Sequence, residues 1–186
     1  MNTSSKNFFI ETVKFVVIAL VIVFPVRLFI AQPFIVSGAS MDPTFHDGQY
    51  LIVDELSYRF ENPHRGDVIV FVPPVDETKY YIKRIIGLPG ETVQIKGTEV
   101  TIKNAENPDG FVLPQPYIAS GEERNDDITI TLSNNQYYVM GDNRYASSDS
   151  RIWGPITRDV IVGRPIVRLF PVPDISAFPG VFTYSN

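Results

Sequence analysis

From Phe8 to Ala31 the chain reads FFIETVKFVVIALVIVFPVRLFIA, apolar at nearly every position, with charge only at Glu11, Lys14 and Arg27. Such a run predicts one long helix with no polar face to turn toward water. The strictly uncharged part, Phe15 to Val26, is twelve residues, whereas a bilayer crossing takes about 20 mainly apolar residues. A crossing over 8–31 therefore needs Lys14 and Arg27 to reach toward headgroups along their alkyl stems. Three readings compete: a single-pass anchor, a cleaved signal peptide, or a buried helix of a soluble protein. A cleavage site should follow closely behind the apolar core. Here Leu28, Phe29, Ile30, Phe34, Ile35 and Val36 intervene before Ser40, which favours the anchor. Lys6 and Lys14 then put a short tail, 1–7, on the cytoplasmic side and residues 32–186 outside, with Arg27 weighing against this.

Beyond Pro33 the period changes to two. Alternating runs rich in β-branched and aromatic residues predict strands at 50–56, 67–72, 80–87, 91–96, 99–103, 127–132, 136–140 and 159–170. Turn formers separate them, among them Asp47-Gly48, Pro73-Pro74, Leu88-Pro89-Gly90 and Pro108-Asp109-Gly110. The expected fold is mainly β, an antiparallel domain over 32–186, and the lack of a second long helical pattern argues against a parallel α/β sheet. A polar stretch from Asn104 to Asp126 marks a small insertion around 97–126. The Pro-rich tail after Phe170 reads as edge or coil.

Length and composition narrow the functional classes. A chain of 186 residues suits one core plus an appendage, and 16 scattered basic residues against 21 acidic ones give a net charge of −5. No nucleic-acid footprint is present. The absence of cysteine removes thiol nucleophiles and thiolate metal sites. With only His46 and His64, no metal site and no cofactor are expected.

Three stretches carry candidate chemistry. In SGASMDPT, residues 37–44, Ser37-Gly38-Ala39 could be a leader cleavage site or Ser40 a nucleophile. A serine needs a base, and both histidines fall in turn contexts that read as surface loops. Lysine is the remaining common choice, but an amine neutral near pH 7 to 8 must be depressed by about three pH units, roughly 4 kcal/mol, which burial can supply. Lys83, in YYIKRIIG, shares a strand face with Tyr81 while Ile82 and Arg84 take the other. The plainer reading is an edge lysine. The third stretch, GDNRYASSDSRIWGP at 141–155, reads either as a structured functional loop or as a turn ordered by Asp142, Asp149, Arg144 and Arg151.

Taken in order behind one greasy segment, Ser40-Met41-x-Pro43-Thr44, Tyr81-Ile82-Lys83-Arg84 with Gly87-Leu88-Pro89-Gly90, and Gly141-Asp142-Asn143-Arg144 with Ser147, Asp149, Ser150 and Arg151 resemble the motif set of bacterial type I signal peptidases. The resemblance runs from the anchor to about Pro155. It implies a serine endopeptidase with Ser40 as nucleophile and neutral Lys83 as general base. Ser147 would orient the lysine amine, and the Ser40 backbone N–H, with Gly38 or Ser37 as further candidates, would form the oxyanion hole. Phe34, Val36, Met41, Leu51, Tyr81 and Ile82 would wall the substrate pockets. Arg84 with Asp142, and Asp149 with Arg151, would brace the site.

The implied substrates are signal peptides of exported preproteins, cut after small residues and bound as an extended strand. The implied location is the cytoplasmic membrane, with the catalytic domain extracytoplasmic and Phe34, Ile35 and Phe45 resting on the bilayer; a monomer is expected. Two positions depart from the commonest family pattern: Ala39, where glycine is frequent, and Tyr145-Ala146 after the third motif. The short separation between Lys83 and Gly141 leaves room only for a reduced insertion. Two other readings share parts of the pattern, a self-cleaving Ser/Lys protease of the SOS-repressor kind and a membrane-tethered binding module without catalysis. Ser37-Gly38-Ala39 would also be a candidate self-cleavage point.

Overall fold

The computed structural model describes the backbone of residues 3–29, 31–118 and 125–184. The expectations for residues 1–2, for part of the insertion (119–124) and for the Arg27 side chain lie outside the described residues. Helix α1, Thr3–Phe29, forms over the greasy run. Phe8, Phe9, Phe15, Ile18, Leu20 and Val21 on it are all exposed. Among the described residues no helix is long and apolar enough to cross a membrane.

Strand β1 (Ala31–Ile35) follows, then β2 (Tyr50–Asp54), β3 (Val68–Phe71), β4 (Tyr81–Gly87), β5 (Thr92–Lys96), β6 (Glu99–Lys103), β7 (Phe111–Val112), β8 (Asp127–Thr131) and β9 (Gln136–Met140). A single turn of helix, α2 (Ser150–Trp153), precedes β10 (Ile156–Thr157), β11 (Ile161–Phe170) and β12 (Ser176–Ala177). The fold is mainly β and antiparallel, as the alternation predicts. Strands β1, β7, β10 and β12 lie in stretches where no strand is predicted, because each is short or contains Pro33 or polar residues, and tertiary pairing decides them.

The larger sheet runs β1-β2-β11-β3-β4-β9-β10, with β12 on β11, and the smaller runs β7-β6-β5-β8. β4 joins them. Its register with β9 shifts between Ile85 and Gly87, and a Cβ on Gly87 would come within 2.4 Å of Val93 and 2.9 Å of Leu132. Glycine there lets the smaller sheet fold down closely. One core under that sheet gathers Ile86, Val93, Ile95, Val100, Ile102, Leu113, Leu132, Tyr138 and Met140. A second, of Ile69, Phe71, Ile85, Tyr137, Val139 and Ile156, backs the larger sheet. A third, of Val36, Met41, Phe45, Leu51 and Val68, lies directly beneath the segment that carries Ser40.

Candidate active site

Ser40 sits on the loop between β1 and β2. Gly38 starts that loop with φ +87 although a Cβ there would meet nothing, so the backbone angle rather than crowding calls for glycine. The Gly38 N–H donates to Asp47 Oδ1 at 2.7 Å, which pins the loop and engages that donor. Among the described residues no acceptor takes the Ser40 N–H.

Lys83 lies on β4, paired with β3 through Ile69. It is 3% exposed, not the edge decoration its sequence context allows. Its Nζ donates to Ser40 Oγ at 2.7 Å and to the Ile82 carbonyl at 2.8 Å, and stands 5.3 Å from the centre of the Tyr81 ring. Burial pushes the amine down to about 8, against the opposing pull of the Asp149 and Asp142 carboxylates. Near neutral pH an appreciable fraction of such an amine is unprotonated and able to accept a proton.

The segment after β9 locks both groups from behind. Arg84, fully buried, binds Asp142 through Nε to Oδ1 at 2.9 Å and Nη2 to Oδ2 at 2.7 Å. Asp142 Oδ2 also accepts the Thr44 hydroxyl at 2.6 Å, and the Asn143 N–H donates to the Ser40 carbonyl at 3.1 Å. The lysine strand and the serine loop are thus tied to one carboxylate and its neighbour. Gly141 makes the approach possible, since a Cβ there would fall 2.3 Å from both the Ser40 carbonyl oxygen and Ser147 Oγ.

Asp149 caps α2 and takes Arg151 through Nε at 2.8 Å and Nη2 at 2.7 Å, while Gly141 N–H donates to it at 3.0 Å. Burial raises the Asp149 carboxyl, but the Arg151 bonds and charge, with the nearby Ser147 hydroxyl and Gly141 N–H, outweigh it and hold the group low. Ser147 is buried against Gly141, and its hydroxyl oxygen closes no hydrogen bond to the Lys83 amine.

A groove of about 600 Å³ opens above Ser40 and Lys83. Its walls come from two strands with free edges. β1 is terminal in its sheet, and β9 pairs with β4 only from Arg84 onward, so among the described residues Tyr81 to Lys83 have no strand partner on that side. The curled sheet brings these edges together, and Phe34 meets Tyr80 edge-on at 5.2 Å. Such a slot fits an extended chain, with main-chain bonds to the edges and side chains alternating into the walls.

Phe34, Val36, Leu51, Tyr81 and Ile82 line the groove, whereas Met41, 1% exposed, packs beneath it in the third core. Phe45 is also fully buried and presents nothing to a bilayer; the core under the loop takes it. Ile35 is exposed. Sequence reasoning missed Thr78, Lys79, Tyr80, Ala146 and Ser148 on the lining, and Thr44 and Asp47 as loop anchors. The Tyr80-Tyr81 doublet ahead of Lys83 and the Asp-Gly turn at 47–48 are the signals that could have found them.

Neither histidine touches the serine: His46 pairs with Asp42 at 2.7 Å and His64 lies 3.8 Å from Asp67, both on the surface. Of the two departures, Ala39 lines the groove. At the other, the turn closes through the Ala146 N–H to Asn143 Oδ1 at 2.9 Å, with Tyr145 exposed.

A hydroxyl in contact with a partly neutral amine, at the foot of a slot that admits an extended chain, is the equipment of a peptidase. Residues 9–170 match the family described as signal peptidase, peptidase S26, and the chain belongs to that family. It is 33% identical over 176 residues to probable signal peptidase I-2 of Synechocystis sp., covering 91% of this chain and 77% of that protein. It is 36% identical over 169 residues to signal peptidase I of Leptolyngbya laminosa, covering 87% and 80%. The solved signal peptidase I from Enterococcus faecalis is 30% identical and superposes with a TM-score of 0.47, covering 56% of this chain and 97% of that one.

Proposed function

We propose that the protein cleaves signal peptides from exported preproteins after small residues, with Ser40 as nucleophile and Lys83 as general base. The observation that carries this reading is the 2.7 Å contact between Lys83 Nζ and Ser40 Oγ at a buried amine held near 8. The neutral amine takes the Ser40 proton as Oγ attacks the scissile carbonyl carbon. The oxyanion that forms is met by the Ser40 N–H, with the Ser37 hydroxyl as a second candidate, since Gly38 N–H is held by Asp47. The Lys83 ammonium then returns the proton to the leaving amine as the C–N bond breaks, leaving an acyl ester on Ser40. Lys83 next deprotonates a water, which hydrolyses the ester, and the proton passes back to Ser40 Oγ.

Ser147 is the proposed orienting residue. It lies within the same buried packing, and a change of its χ1 rotamer would turn the hydroxyl from Asp149 toward the amine. Arg84, Asp142, Asp149 and Arg151 brace these groups without touching the reacting atoms. Phe34, Val36, Leu51, Tyr81 and Ile82 limit side-chain size in the groove, and Met41 supports that wall from below.

We further propose that α1 anchors the enzyme in the cytoplasmic membrane, with the β domain, 32–186, extracytoplasmic and monomeric. The exposed Phe8, Phe9, Phe15, Ile18, Leu20 and Val21 support this, because an uncovered helix of such side chains calls for an apolar surrounding. Retention in the membrane pellet after alkaline extraction tests the anchor.

The chemistry is tested in detergent with a fluorogenic peptide carrying Ala at the first and third positions before the cut. Ser40→Ala and Lys83→Met should each be inactive. Cleavage that survives either change ends the dyad reading.

A further inference from the structure

We propose that the C-terminal segment Phe178 to Tyr184 is a positioning clamp, holding the Ser40 loop and strand β4 in the mutual register that catalysis needs. The family match ends at residue 170, so this segment lies outside the part of the chain that defines the family. The proposal rests on the Ser40 and Lys83 reading above and asks what keeps those two groups in contact.

The segment is tied down and reaches both elements. The Phe178 N–H donates to the Ile166 carbonyl of β11 at 2.7 Å. Gly180, at φ +77, lies so close to the serine loop that a Cβ would stand 2.8 Å from the Phe45 ring and 3.0 Å from Thr44 Cγ2. The Gly180 carbonyl accepts Arg84 Nη1 at 2.8 Å, beside the Gly66 carbonyl, which accepts the same nitrogen at 2.7 Å. Gly66 is itself backed by the segment, since a Cβ there would fall 2.4 Å from the Phe182 carbonyl oxygen.

Aromatic rings complete the clamp. Tyr117 stacks on the Arg84 guanidinium at 4.1 Å, Phe182 meets Tyr117 edge-on at 5.6 Å and Tyr184 at 4.8 Å, and the Tyr117 and Tyr184 hydroxyls are hydrogen-bonded at 2.8 Å. The arginine next to Lys83 is therefore sealed by a lid made from residues 180–184 and Tyr117. Thr44 and Phe45, four and five residues past Ser40, rest on the same segment. Arg168 adds a strut, with Nη2 donating to the Thr44 carbonyl at 3.0 Å.

Removing the clamp should loosen the Ser40 to Lys83 contact and let water reach the amine. The groups that face Lys83 are Asp142 and Asp149 from the 141–149 segment, the Tyr81 ring and the Ile82 carbonyl from its own strand, and Ser40 from the loop. None of them belongs to the clamp, so the clamp acts on the reaction through position and hydration.

The test uses the full chain in detergent and the same peptide, comparing wild type, Gly180→Val and Tyr184→Phe. Unfolding by urea is followed alongside. The expected result for Gly180→Val is a fall in kcat of about tenfold or more with KM changed by less than about twofold, since misplacement of reacting groups by about an ångström costs rate rather than binding. The acid limb of kcat should move to higher pH, which a purely structural loss of folded enzyme would not cause. Should Gly180→Val fail to fold, Tyr184→Phe decides. It keeps the ring and loses only the hydroxyl bond, and should show the same split and the same direction of the limb. In whichever variant decides, kcat within about twofold of wild type, a loss shared by KM, or an unmoved limb overturns the clamp. Ser40→Ala in the same assay separates the two ideas: retained activity there sinks the dyad reading itself, and an inactive Ser40→Ala beside wild-type behaviour of the clamp variants sinks the clamp alone.

Discussion

Replacing Lys83 by methionine should abolish cleavage and yet stabilise the fold at neutral pH. In the unfolded chain the amine titrates near 10.5, and in the folded protein burial holds it at about 8. Below pH 8 both states carry the proton, and the folded state bears the full cost of a buried ammonium. At about 1.4 kcal/mol per pH unit, the interval corresponds to about 3 kcal/mol. Between pH 8 and 10.5 the unfolded chain binds the extra proton, so wild-type stability rises with pH, and above 10.5 the cost is gone. Methionine has similar bulk and no charge, but it gives up the two bonds from Nζ to Ser40 Oγ and the Ile82 carbonyl, a loss of about 2 kcal/mol at about 1 kcal/mol each. The net expectation at pH 7 is a gain of about 1 kcal/mol, or roughly 2 to 4 °C in Tm for a chain of this size. The assay is paired urea or thermal unfolding of the two proteins in one detergent at pH 7 and near pH 10. A Lys83→Met protein less stable than wild type at pH 7, or a gap that does not narrow toward pH 10, would refute the claim that the buried amine is held low at a cost to the fold.

The same depressed amine sets the pH dependence of the rate. kcat/KM should rise through an acid limb near 8, with activity at pH 7 about one tenth of the plateau; a profile flat from pH 6 to 10 contradicts a lysine base. Arg84→Ala leaves Asp142, 1% exposed, as a buried carboxylate without its counter-charge, and should cost about 3 to 5 kcal/mol of stability by urea unfolding. A loss under about 1 kcal/mol would show the pair to be dispensable. Gly141→Ala places a methyl group 2.3 Å from the Ser40 carbonyl oxygen, so kcat should drop about a hundredfold while KM for the peptide stays close to wild type.

Much of the site is legible in the chain because chemistry-bearing residues cluster in short local motifs. Ser40-Met41, Tyr81 to Arg84 and Gly141 to Arg151 mark themselves by residue type and order, and the period-2 runs predict the long strands within one or two residues. What the motifs leave open is environment. Alternation puts Lys83 on a strand face but says nothing of what covers that face, and only the placing of β4 between β3 and β9, under the Ser40 loop, buries the amine. Met41 and Phe45 show the same limit: close to Ser40 in sequence, both turn down into the core because the loop closes over Val36, Leu51 and Val68.

The tail after Phe170 reads as coil from its prolines, yet Gly180 and Phe182 lie against Gly66, Thr44 and Phe45, contacts that join residues far apart in the chain and have no local signal. By itself the sequence determined the greasy run and the antiparallel β class, which follow from periodicity, while the serine, the lysine and the bracing pairs were singled out by the resemblance of their motifs to those of signal peptidases. Only the tertiary structure decided that the amine is buried and depressed, that two free strand edges face each other across a groove, and that the octamer SGASMDPT presents its serine at the foot of that groove. Burial, edge exposure and contact distance are properties of chain segments brought together, and spacing along one chain does not contain them.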